Sequence, residues 1–253
     1  MTYRTDLKYD KGQVVLNNAG NADTRKKLPE VTLSDRLQSG AWGDSILKEL
    51  AKYDKDSDPA INSAVSTHKQ LVETAKKFVK RRSFQDPEVT QYAYLKRLET
   101  DYSQALRTHE ASVKRAQAAL IDTQINAISA FKDRLGFSDK HADEIRSRVY
   151  GLNAADRSQL LNQAIDNGDG NILSAVLDAH PMLTGLTNEQ QTAYRNMAMN
   201  KHAPELRAIE EQSDRLLSII SDSYADLVSA KDAMTGKAIL DDYQREVDAA
   251  NSL

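Results

Sequence analysis

Between Pro87 and Leu135 the chain contains no further proline and no glycine. Those are the two residues that most strongly interrupt a helix interior, so nothing in this stretch forces the backbone to turn. Along it Leu95, Leu98, Tyr102, Ala105, His109, Val113, Ala116 and Leu120 recur at spacings of three and four. Ile125, Ile128, Phe131 and Leu135 carry the stripe onward. This is the period of an amphipathic helix. Unbroken, such a helix is about 70 Å long at 1.5 Å per residue. A compact domain of this chain length is only roughly 40 Å across. The helix must therefore either run beside partner helices as a rod or project from a body.

A second stripe runs through about 187–231. Thr187 with Gln190 has the pattern of a capping box, and Pro204 marks a kink or restart. Leu206, Ile209, Leu216, Leu217, Ile220, Tyr224, Leu227 and Val228 then form an apolar face wider than a two-position coiled-coil seam. Gly236 breaks it before a last amphipathic piece with Ile239, Leu240, Tyr243 and Val247. Nearer the N-terminus, Ser34 or Asp35 can cap a helix to about Tyr53, its start weakened by Gly40 and Gly43. After a polar turn, Pro59 suits the first turn of a helix with Ile61, Val65, His68, Leu71, Val72, Ala75, Phe78 and Val79 on one face. Gln85-Asp86-Pro87 interrupts it.

Residues 136–186 read as a small helical module. Gly136 ends the long helix, Ser138 caps a segment to Tyr150, and Asn153 or Asp156 opens the next. Asn167-Gly168-Asp169-Gly170 is a tight turn, followed by a short buried helix with Ile172, Leu173, Val176 and Leu177 that His180-Pro181 closes. Residues 1–33 differ from the rest. They carry Gly12, Asn17, Asn18, Gly20, Asn21 and Pro29 around one apolar burst at Val14, Val15 and Leu16. An extended arm with a little strand and a disordered tail fit this equally. The expected segments are an arm over 1–33, helices over 34–135, the module over 136–186, and a long plus a terminal helix over 187–253. The fold class is all-α, a long-helix hairpin or bundle formed by about 87–135 and 187–231 with coiled-coil-like packing.

Composition excludes several functional classes. There is no cysteine, which removes disulfide scaffolds, thiol nucleophiles and thiolate metal sites. The formal net charge is −3, so no strongly charged partner follows from the whole chain. The first residues lack the basic-then-apolar order of a signal peptide, and no apolar run approaches the roughly 20 residues of a membrane span.

Candidate chemistry is sparse. Asp54-x-Asp56-x-Asp58 opens like a calcium loop, but Pro59 and Val65 stand where an EF-hand needs glycine and glutamate. His141 and Glu144 lie one helical turn apart without the second copy that a di-iron bundle needs. His68 and His109 fall on apolar faces and read as core or interface residues. No phosphate-binding loop, dinucleotide fingerprint or nucleophile elbow is present. No catalytic residue, cofactor or metal is therefore assigned. The one dense basic cluster is Lys76, Lys77, Lys80, Arg81 and Arg82; counted over 61–82, six Lys/Arg face Glu73 alone. It reads either as a solvated helix end favoured by the helix dipole or as a patch contacting nucleic-acid phosphates.

The stretch from Gly151-Leu152-Asn153 through Asn167-Gly168-Asp169-Gly170, Ala175-Val176-Leu177 and Pro181-Met182-Leu183-Thr184-Gly185-Leu186 resembles a helix–turn–helix of uncharacterised helical proteins of tailed bacteriophages and prophages. The resemblance covers about a seventh of the chain and carries no catalytic motif. It implies a virion component of accessory, ejection or scaffolding type, located in the virion or the host cytoplasm. Such a protein would act by helix packing with copies of itself and with neighbouring structural proteins. Leu95, Leu98, Tyr102, Leu206, Ile209, Leu216, Ile220 and Leu227 are then the expected interface positions.

Overall fold

The structure is a computed structural model that describes residues 7–10, 13–16, 26–55, 58–84 and 89–251. The elements are β1 (Leu7–Asp10), β2 (Gln13–Leu16), α1 (Asp35–Gln38), α2 (Ala41–Ala51), α3 (Pro59–Ser83) and α4 (Gln91–Leu135). There follow α5 (Ala142–Gly151), α6 (Ala154–Asn167), α7 (Gly170–Leu177), a 3-10 turn (Pro181–Leu183), α8 (Asn188–His202), α9 (Pro204–Ser229), α10 (Lys231–Thr235) and α11 (Lys237–Asn251). The fold is all-α apart from the β1–β2 pair, which is antiparallel with Leu7 opposite Leu16 and Asp10 opposite Gln13. The expected interruption at Gln85-Asp86-Pro87 lies outside the described residues.

Local chemistry sets the helix ends. Asp58 caps α3 by accepting from the amides of Ala60 and Ile61, with Pro59 at the first helical position. Thr187 and Gln190 form the full reciprocal capping box of α8. Asn153 caps α6 and Asp169 caps α7. α5 departs from expectation: it starts at Ala142, after His141 in a left-handed conformation, while the Ser138 hydroxyl is spent on the amide of Lys140. The N-terminal helix also splits, into α1 and α2, at Ser39-Gly40.

Residues divide into two compact units, Met1–Gln38 with Glu73–Thr108 and Ala225–Leu253, and Ser39–Val72 with His109–Tyr224. The division falls within α3, α4 and α9 rather than at positions 33, 135 and 186 where the sequence suggests breaks.

In the first unit Leu95, Leu98 and Tyr102 are buried with Ala75, Phe78, Leu227, Met234 and Leu240. The Phe78 and Tyr102 rings meet edge to face at 4.7 Å, and the Tyr102 hydroxyl donates to the Leu227 carbonyl at 2.6 Å. Burial pushes the Tyr102 phenol well above its usual range, so it stays a donor. The end of the expected arm is strapped down. Lys26 and Gln91 exchange backbone–side-chain hydrogen bonds of 2.9 and 2.7 Å, and the Lys26 ammonium reaches Glu246 at 2.9 Å.

In the second unit α4 and α9 run antiparallel: Gln117 bonds Ser221, Gln124 bonds Asp214, and Arg134 pairs with Glu205. Between them Ala116, Leu120, Ala127, Ile209, Leu216, Ile219 and Ile220 form one core with Ile46, Leu50, Ile61 and Val65. Gly43 lets α2 lie against α3, since a Cβ there would stand 2.6 Å from a Val65 methyl. A second cluster joins Phe131 to Ala164, Ile165, Leu173, Leu177, Ala198 and Met199. At the start of α7, Gly170 sits where any side chain would collide with the Leu135 carbonyl. Three apolar-face members are exposed: Ile125, at 59%, is replaced in the core by Ala127, and Val228 and Val247 also face outward.

Candidate interaction surface

The eight expected interface positions are not on an outer surface. Leu95, Leu98, Tyr102, Ile209, Leu216, Ile220 and Leu227 are buried in the chain's own cores, and Leu206 is half-buried against two of them. A stripe of three–four period records that a face is covered without recording by what, and here the chain covers it itself.

The basic cluster is likewise split. Arg81 donates to Asp101 at 2.6 Å and lies over the Phe78 ring. Arg82 donates to the carbonyls of Ala233 and Pro29, and burial lowers its pKa. Both guanidiniums thus hold the first unit together. Lys76, Lys77 and Lys80 remain exposed, Lys76 near Glu73 at 3.8 Å. Just beyond them stands Phe84, 63% exposed, its amide still bonded to the Arg81 carbonyl in the last turn.

The singled-out histidines and carboxylates do not converge. His68 and His109 are buried, and desolvation holds His109 below its usual pKa. His141 and Glu144 form a surface pair at 3.4 Å. The Asp58 carboxylate is used as a cap, and Asp56 lies outside the described residues. Among the described residues no group of three His, Asp or Glu is gathered, and no helix is long and apolar enough to cross a membrane.

The surface that stands out was not singled out from the sequence. A groove of about 520 Å³ lies between α5 and the 3-10 turn, lined by Asp143, Arg146, Ser147, Tyr150, Met182 and Leu183. Met182 is 77% exposed, Tyr150 60% and Leu183 55%. These exposed apolar groups are rimmed by Asp143, Arg146 and Ser147.

Its walls are fixed by Arg157 of α6. The guanidinium donates to the carbonyls of Val149, Tyr150 and Leu152 at the end of α5, and also to that of Gly185 beyond the turn. Five fixed donors on one planar group suit it to gather the orphan carbonyls of a helix end. Thr184 is buried and its hydroxyl donates to the Pro181 carbonyl, while His180 accepts from the Met182 amide. Gln191 of α8 holds the carbonyls of Val176 and Ala179. The available signal was an apolar pair between Pro181 and Gly185, in a loop with no helical partner to hide it. Comparisons of the chain with protein-family models, curated proteins and solved structures found no match.

Proposed function

We propose that this chain is a structural or assembly protein that works through protein–protein contact and not through catalysis. Its setting is a tailed-phage virion, as the resemblance over 151–186 implies. The observation that carries this reading is the apolar groove at Tyr150, Met182 and Leu183, held open by the Arg157 clamp. A fold that buries its own stripes yet leaves three large apolar side chains exposed beside a clamped backbone presents a prepared surface. The partners are copies of itself and neighbouring structural proteins. The test is light scattering coupled to size-exclusion chromatography on the full chain. A defined multimer supports the reading; a monomer across the accessible concentration range overturns self-assembly.

A second reading, nucleic-acid association, draws on exposed Lys76, Lys77 and Lys80. With both arginines bound internally, three cations remain, for a salt slope of about −2.7 on duplex DNA. Duplex-DNA binding that disappears between low and physiological salt, and on reversal of those charges, would favour it.

A further inference from the structure

Residues 26–33 form no regular secondary structure, yet the helices of the first unit hold 26–29 as they would hold a bound peptide. Gln91, buried at the start of α4, uses its side-chain amide as a neighbouring strand would use its backbone. Its Oε1 accepts from the Lys26 amide at 2.9 Å, and its Nε2 donates to the Lys26 carbonyl at 2.7 Å. The Tyr243 hydroxyl donates to the same Oε1 at 2.7 Å, which fixes the way the amide points. The Lys26 ammonium lies 4.6 Å over the Tyr243 ring, with Glu246 at 2.9 Å and Asp242 at 3.6 Å. Leu28 enters a slot that exists because residue 236 is glycine. A Cβ there would stand 2.6 Å from a Leu28 methyl and 3.4 and 3.5 Å from the Leu95 methyls. Arg82 completes the site by donating to the Pro29 carbonyl.

The strap is joined to the rest by a plain linker. No hydrogen bond ties Glu30, Val31 or Thr32 to another described residue, and α1 begins at Asp35. Leu28 is half-buried and is the one large aliphatic side chain among 26–29, so the strap belongs to the parts of a fold that open at low cost. Resting on the assembly reading above, we infer that copies of this chain exchange the strap: residues 26–29 of one copy occupy the Gln91–Gly236–Tyr243 site of another. The occupant is a second copy because the site is already shaped to this chain's own Lys26-Lys27-Leu28-Pro29. Each contact is the same in trans, since none depends on which chain carries the strap, and only the linker takes a new course. Within one copy the strap is present at an effective concentration on the order of millimolar, so dilute chains keep it in their own site. Exchange takes over where assembly crowds copies together. The linker residues 30–33 span at most about 14 Å, so the first units of two exchanging copies must lie side by side. Reciprocal exchange closes as a two-fold dimer, and one-way exchange runs on into chains or rings.

The experiment uses the Lys26–Glu246 ion pair as its reporter. Ordinary and heavy-nitrogen-labelled full-length chains are unfolded, refolded together in equal amounts and concentrated. A zero-length carbodiimide cross-linker then joins Lys26 to Glu246, size exclusion separates monomer from multimer, and mass spectrometry reads the label on each half of the cross-link. In the monomer fraction both halves are expected to carry the same label. In the multimer fraction about half of the Lys26–Glu246 cross-links are expected to carry one label of each kind, the share that random exchange gives. Leu28→Asp, checked for folding by circular dichroism, is expected to lose both the multimers and the mixed cross-links. Multimers whose Lys26–Glu246 cross-links all carry one label overturn exchange and leave the assembly reading in place. Multimers that persist undiminished in folded Leu28→Asp overturn it as well. A wild type that stays monomeric at every concentration overturns both readings.

Discussion

Replacing Tyr102 with phenylalanine keeps the ring and its edge-to-face contact with Phe78 at 4.7 Å, and removes only the hydroxyl that donates 2.6 Å to the Leu227 carbonyl. The residue is fully buried, so no water from bulk solvent replaces that donor. A buried hydrogen bond contributes about 0.5–1.5 kcal/mol, and stranding its acceptor raises the cost to about 1–3 kcal/mol. For a chain of this size about 1 kcal/mol moves the melting temperature by about 2–4 °C, which puts the expected drop between about 2 and 12 °C. Tyr102→Ala, which also empties the ring site, is expected to cost about 3–5 kcal/mol. The pH dependence follows from the same burial. The folded-state phenol pKa is raised above its ordinary 10.0, so its stabilisation is fully present below pH 10 and is lost progressively as pH rises from there toward the raised folded-state value. The assay is differential scanning calorimetry of wild type and Tyr102→Phe from pH 7 to pH 11. Equal melting temperatures at neutral pH would refute the argument that this hydroxyl ties α4 to α9 in the first unit.

Leu216→Asp and Ile220→Asp each place a carboxylate in the second unit's core and are expected to unfold it, a cost above about 4 kcal/mol seen as lost cooperative melting. Arg157→Lys exchanges a four-carbonyl fork for a point charge; faster hydrogen exchange at Met182–Gly185, with the α4–α9 core unaffected, is the expected result. Desolvation lowers the folded-state pKa of His109 below 6.5, so its contribution is full above pH 6.5 and lost as pH falls beneath it. Wild type should therefore melt lower at pH 5.5 than at pH 7.5, and His109→Gln should flatten that difference in a thermal-shift assay.

Much of the fold was legible because helices announce themselves by period and by punctuation. Thr187 with Gln190, Asn153, Pro59 and the Asn167–Gly170 turn each carry a local mechanism that needs no tertiary knowledge. What failed to show were facts about the other side of each contact. Leu216 and Ile220 have the same periodicity whether α4 or another chain covers them. Arg81 and Arg82 look like two more surface cations until Asp101 and the carbonyls of Ala233 and Pro29 are seen beneath them. Ser138 is a good capping residue that a left-handed His141 bypasses. The groove was hidden for the same reason. Met182 and Leu183 sit in a loop, and the arginine that fixes them outward lies more than two dozen residues away in sequence.

The division of the chain also bears on how it is made. All of the second unit lies within Ser39–Tyr224, whereas the first is assembled from three separated stretches, the last being Ala225–Leu253. A ribosome delivers residues in order, and domains generally fold as they emerge. The second unit, groove included, can be complete while Leu95, Leu98 and Tyr102 still wait for Leu227 and Leu240 to be translated. During that interval those apolar side chains are uncovered, so Ala225–Leu253 is the stretch whose arrival protects the chain's middle from misassociation.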